Sequence, residues 1–195
     1  GPNGAGKTTT LLAISGLISR AEGTVLLQGN DITQLSPTQK AQRGLQHVPE
    51  DRSLFPSLTV AETLKLVETP DVDREWIDDL FPALVPLAKR PVAALSGGEQ
   101  QMLTLARALS LGPSVLMVDE MSLGLAPKIV ASLFPVLRRV AEERGCGVLI
   151  VEQHVHLALD AVDRAYVIGD GEIVAEGSAD EIKPKIVDLI NTYLG

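Results

Sequence analysis

The chain opens on Gly1-Pro2-Asn3-Gly4-Ala5-Gly6-Lys7-Thr8-Thr9, and directly behind it Leu11, Ile14, Ser15 and Ile18 recur at helical spacing. Few features narrow a fold so far. Glycines let successive backbone N–H groups curl around an anion, and the helix that follows turns its positive N-terminus toward the same point. In the pattern Gly1-x4-Gly6-Lys7-Thr8, Lys7 can reach outer phosphates and the Thr8 hydroxyl can ligate Mg²⁺. The plainer alternative is a Gly-rich turn with a surface lysine, but the helical pattern directly behind the loop argues against it.

Further along, strand-like and helical stretches alternate. Thr24–Leu27 reads as a short strand closed by Gly29-Asn30-Asp31. Ser36-Pro37 starts a helix to about Arg43, and Leu45–Val48 is a strand stopped by Pro49. Thr59-Val60-Ala61-Glu62 is a capping box before a helix carrying Leu64 and Val67. The Asp- and Pro-rich stretch 69–91, around Trp76, Leu80 and Leu84, reads as short helices of a peripheral subdomain. Ser96-Gly97-Gly98 leads into a helix with Met102, Leu105, Ala106 and Leu109 on one face. Val115–Val118 and Gly147–Val151 read as strands buried on both faces, separated by a helix over 127–144 with Pro135 inside it. A hairpin around Gly169-Asp170-Gly171 and a cap at Ser178-Ala179-Asp180-Glu181 complete the chain. This alternation predicts an α/β fold with a mainly parallel sheet between helices.

With 195 residues the chain has the length of one domain, and 45% apolar content gives it a core. The net charge of −8 speaks against a nucleic-acid partner. The single Cys146 excludes an internal disulfide and reads as a small buried hydrophobe. No stretch approaches the ~20 apolar residues that span a bilayer, so membrane work would need a partner.

Two more segments carry chemistry. The apolar run Val115-Leu116-Met117-Val118 delivers Asp119 and Glu120 at its end, where open α/β sheets bind ligands. Asp119 would hold Mg²⁺ through its water shell, and Glu120 would orient or deprotonate an attacking water. Leu95-Ser96-Gly97-Gly98-Glu99-Gln100-Gln101 repeats the logic of the opening loop, a serine and two glycines at a helix N-terminus. Alone, it is equally an ordinary helix start with a Ser cap.

Together, and in this order, the three segments resemble the ATP-binding subunits of ABC transporters. Gly1–Thr8 is similar to their Walker A, Leu95–Gln101 to their signature, and Val115–Glu120 to their Walker B with its catalytic glutamate. The resemblance runs from Gly1 to Gly195. It implies a P-loop NTPase fold in one domain over 1–195, with a helical signature subdomain at about 55–110. It implies ATP contacts from Gly1, Asn3, Gly4, Ala5, Gly6, Lys7, Thr8 and Thr9. Two subunits pair head to tail in that family, so Ser96, Gly97, Gly98 and Glu99 would touch an ATP held by a second ATPase subunit, identical or not. Mg²⁺ would be held by Thr8, Asp119 and Glu50, and Glu120, Lys7 and Gln153 would carry catalysis. Other implied partners are transmembrane permease subunits and, indirectly, a periplasmic or extracellular binding protein. The chain would sit on the cytoplasmic face of the membrane through them.

Ser122-Leu123-Gly124-Leu125-Ala126-Pro127, Val48-Pro49-Glu50-Asp51-Arg52, Leu54–Val60 and Val151-Glu152-Gln153 look like the branched-chain amino acid uptake subgroup. Urea and amide importers share much of this wording. Glu50 stands where most relatives have glutamine, Gln153 where a histidine contacts the γ-phosphate, and Met121 where proline usually follows the glutamate. His47, His154 and His156 read as surface or satisfied histidines. The family also carries, ahead of Walker A, a strand, an antiparallel subdomain and an adenine-stacking aromatic. The resemblance therefore implies residues before Gly1, and an empty position in the sheet of the chain as it stands.

Two alternatives differ in class. A soluble ABC ATPase of ribosomes or DNA usually has two ATPase halves or a long coiled-coil insertion, and the 87 residues between Thr8 and Ser96 are too few for such an insertion. A truncated, non-hydrolysing chain is disfavoured by intact Lys7, Asp119 and Glu120.

Overall fold

The computed structural model describes residues 1–19, 22–67, 73–152 and 155–193. Helix α1 (Lys7–Ser15) starts from Gly6 at φ 97°, a left-handed entry that suits glycine, and ends on left-handed Gly16. Ile18, expected on this helix, lies beyond that stop. Strands β1 (Leu26–Leu27) and β2 (Asn30–Asp31) form a small hairpin, shorter than the strand read over 24–27. Helix α2 (Pro37–Gln42) is closed by a Ser36–Gln39 capping box. Its Lys40, 1% exposed, donates to Ile14 O at 2.7 Å, setting a positive charge against the C-terminal carbonyls of α1.

Strand β3 (Leu45–Val48) is followed by α3 (Val60–Lys65), α4 (Arg74–Leu80) and α5 (Gly97–Leu109). Val67 lies outside α3, which caps on Leu66. The side chains of α5 are buried over a wider arc than one stripe. Leu103, Thr104 and Leu105 are all fully covered, whereas Met102 is only partly so, because α3, α4 and β3 pack around the helix. Then come β4 (Val115–Asp119), α6 (Pro127–Arg144), β5 (Gly147–Val151) and α7 (Val155–Leu159). Hairpin β6 (Arg164–Gly169) and β7 (Glu172–Ser178) leads into α8 (Ala179–Ile182) and α9 (Ile186–Tyr193).

The parallel sheet has the order β3-β4-β5 among the described residues, with Leu45 opposite Val115, His47 opposite Met117 and Asp119 opposite Val151. Its two faces meet different helices. Leu45 and Met117 pack with Leu11 of α1, while Val48, Leu116 and Val118 pack with α5 and α6 residues such as Leu105 and Leu133. Central β4 is buried almost throughout, as its apolar run predicts. β5 is less covered: Leu149 is 39% exposed, and among the described residues β5 pairs with β4 alone. A third cluster joins Val167 of the hairpin to Ala179, Ile182 and Ile186. Among the described residues, no helix is long and apolar enough to cross a membrane.

Helix starts carry measurable stability here. Thr59 accepts from Glu62 N, and Glu62 Oε2 accepts from both Thr59 N and Thr59 Oγ1 at 2.8 Å. Replacing Thr59 with Ala should cost about 1 kcal/mol. In a chain of this size that is a fall in Tm of roughly 2–4 °C, checked by thermal unfolding followed by circular dichroism.

Candidate active site

The opening loop and the end of β4 converge. Gly4 and Gly6 take left-handed φ values of 81° and 97°, which bend the loop over the start of α1. The Lys7 ammonium, 8% exposed, donates to Gly1 O at 2.9 Å and Pro2 O at 2.8 Å and lies 3.7 Å from Glu120 Oε1. An anion entering the loop would find this charge already buried and directed inward. Thr9 is exposed and Ala5 buried.

Asp119 is 1% exposed, and the Thr8 hydroxyl donates to its carboxylate. Burial, with the Glu120 charge adding to it, holds the Asp119 carboxyl above the ordinary aspartate range; the Thr8 hydrogen bond, His47 and Lys7 pull the other way. Its Oδ1 is buried with no protein partner among the described residues. A buried carboxylate oxygen without a donor asks for a cation or an ordered water. The Thr8 hydroxyl and Asp119 are hard oxygen donors, so the site suits Mg²⁺ with retained waters. Glu50 is exposed, and among the described residues no three His, Cys, Asp or Glu side chains gather into a metal-binding group. Gln153 and His154 lie outside the described residues; His156 is exposed.

His47 corrects the expectation of a surface or satisfied histidine. It faces the α1 side of the sheet near Asp119, with both ring nitrogens buried and without a hydrogen-bond partner among the described residues. Burial holds its pKa below the ordinary histidine value, against the pull of Asp119.

Ser96 caps α5 as the plainer reading had it: its Oγ accepts from Glu99 N, and Glu99 Oε2 accepts from Ser96 N at 2.6 Å. The Ser96 hydroxyl also bonds the Glu99 carboxylate, so this arrangement leaves the first-turn N–H groups of Gly97 and Gly98 for an anion. A Cβ at Gly98 would come within 2.9 Å of Ile129 Cγ2, so glycine there lets α5 approach α6 closely. α1 and α5 pack on opposite faces of the sheet.

Two residues in the quoted motifs have roles that spacing could not assign. Arg52, at φ 62°, donates from Nε to Gln101 Oε1 at 3.0 Å and from Nη2 to Leu123 O at 3.4 Å. It thereby ties the segment after β3 to α5 and to the turn after Glu120. Glu152, 7% exposed, accepts from Ser122 N and Ser122 Oγ. The only sequence signal for either was that a charged residue stood inside a resembling motif.

Residues 1–122 match the family described as "ABC transporter". The chain is 38% identical over 189 residues to the probable branched-chain amino acid transport ATP-binding protein LivF of Archaeoglobus fulgidus, covering 93% of this chain and 80% of the relative. It is also 36% identical to the lipopolysaccharide export system ATP-binding protein LptB of Haemophilus influenzae, covering 93% and 78%. Among solved structures, a dimeric post-hydrolysis ATP-binding cassette bound to ADP and Pi is 25% identical with a TM-score of 0.78, covering 91% of this chain and 82% of that one. A phosphate-type loop joined to Asp119 and Glu120, on a fold shared with a nucleotide-bound cassette, leaves a single assignment: the chain belongs to the ABC transporter ATP-binding family and is an ATPase.

Proposed function

We propose that this ATPase energises an importer of branched-chain or similar amino acids, as a peripheral subunit on the cytoplasmic face of the membrane. The convergence of Lys7, Thr8, Asp119 and Glu120 at one end of β4 carries the hydrolytic part of the reading. Water attacks the γ-phosphate in line with the leaving ADP. Glu120 orients that water and takes up its proton, while Lys7 and the N–H groups of the loop stabilise charge on the phosphoryl oxygens. Thr8 and Asp119 would hold Mg²⁺, which when bound neutralises charge on the phosphates. Glu50 is proposed on the same metal's outer side and toward the membrane subunits, and Gln153 near the γ-phosphate.

A head-to-tail pair is supported by the placement of the two anion-binding helix ends on opposite faces of the sheet. In such a pair Ser96, Gly97, Gly98 and Glu99 meet the nucleotide of the neighbouring subunit. The cargo reading rests on the likeness to LivF and on Ser122–Pro127; the likeness to LptB supports an export alternative.

The test is to purify the tagged chain with its membrane subunits, reconstitute the complex in liposomes, and supply ATP on the side of this chain. Uptake of radiolabelled leucine is expected when the binding protein is present. ATP-driven urea uptake, or extraction of lipopolysaccharide from the liposomes without leucine uptake, would replace the cargo.

A further inference from the structure

Strand β4 ends at Asp119, and the next residue, Glu120, adopts φ 43°. A non-glycine residue in the left-handed region is strained and persists only where its surroundings hold it. The hold comes from the end of β5. Glu120 N donates to Val151 O at 2.9 Å, and Leu123 N closes the turn on Glu120 O at 3.1 Å. Inside the turn, Glu152 grips Ser122 twice: Ser122 N donates to Oε1 at 3.1 Å and Ser122 Oγ donates to Oε2 at 2.6 Å. Both side chains are buried, at 6% exposure for Ser122 and 7% for Glu152. A carboxylate is a costly group to bury, and its hydrogen bonds are strong because it is charged. A neutral residue could fill the same space, so the charge points to a task of fixing geometry.

We propose that Glu152 is a positioning residue for ATP hydrolysis, clamping the turn from Glu120 to Leu123 so that the Glu120 carboxylate stays beside Lys7. The proposal rests on Glu120 being the group that activates water. A carboxylate that drifts by about 1 Å from its productive place can lose on the order of a hundredfold in rate with no change in nucleotide affinity.

The test is a double-mutant cycle on the full chain, with kcat, KM and the Kd for ATP measured for each variant and residual rates followed under single turnover. Glu152→Ala should lower kcat by roughly 30- to 100-fold with Kd for ATP within about threefold of wild type. Glu152→Gln, whose amide oxygen still accepts from Ser122 N, should recover part of the loss, and Ser122→Ala should show a milder form of it. In a Glu120→Gln background, Glu152→Ala should change the remaining rate by less than about threefold, since the group it positions is gone. Wild-type kcat in Glu152→Ala, an equal loss in both backgrounds, or a loss that follows Kd and Tm would overturn the clamp. If Glu152→Ala does not fold, Glu152→Gln and Ser122→Ala carry the same comparison against Glu120→Gln. Full turnover in Glu120→Gln would instead overturn the reading of Glu120, and the clamp with it. An inactive Glu120→Gln beside a fully active Glu152→Ala would overturn the clamp alone.

Discussion

Glu120→Gln is expected to lower kcat by about a thousandfold, some 4 kcal/mol of barrier, while ATP binding survives. The substitution keeps the shape of the side chain, and the amide oxygen can still face the Lys7 ammonium, 3.7 Å from the carboxylate in the parent. The turn that imposes φ 43° is held by Val151 O and by Glu152, neither of which the change touches. What disappears is a base for the attacking water. Single-turnover hydrolysis and equilibrium ATP binding, measured on the same preparation, separate the two quantities. Unchanged kcat would remove Glu120 from its role. If the subunits pair head to tail around ATP, the same variant should accumulate as an ATP-dependent dimer on gel filtration, because the step that opens the pair has been blocked. A variant that binds ATP and stays monomeric would count against the pairing and leave the hydrolytic assignment in place.

Local chemistry was legible and remote contacts were not. The caps at Ser36, Thr59, Ser96 and Ser178 each close over four residues, so the sequence carries both halves of every one. The opening loop and the apolar run into Asp119 and Glu120 are likewise contiguous, and the structure brings Lys7, Thr8, Asp119 and Glu120 together as their order suggested. His47 sits in Leu45-Gln46-His47-Val48, a strand too short for alternation to assign a face. Its position beside Asp119 follows only once His47 is registered against Met117. Arg52 reaches Gln101, 49 residues away, and Glu152 reaches Ser122, 30 residues away. Such pairs need the folded chain before they can be seen.

Asp119→Asn should stabilise the metal-free protein and weaken it as an enzyme. The parent carboxylate is 1% exposed, with one oxygen lacking a protein partner among the described residues, and burial raises its pKa. A carboxyl whose pKa is raised by folding favours the folded state when protonated. Its contribution is full below the unfolded value of about 4 and is lost as pH rises through the higher folded value. Near neutral pH the charge is therefore a net cost. Asn keeps the shape, can still accept from the Thr8 hydroxyl, and removes that charge, a gain of about 1–3 kcal/mol. In thermal unfolding without metal this corresponds to a Tm higher by roughly 2–10 °C, with the gap narrowing as pH falls toward 4. Adding Mg²⁺ and ATP should reverse the order. The parent binds the pair more tightly and gains the larger linked stabilisation, while the variant loses about 10- to 100-fold in Mg²⁺ affinity. Metal-free unfolding in which Asp119→Asn is the less stable protein would show that the Asp119 charge is compensated in the fold, and that its unpaired oxygen does not wait for a cation.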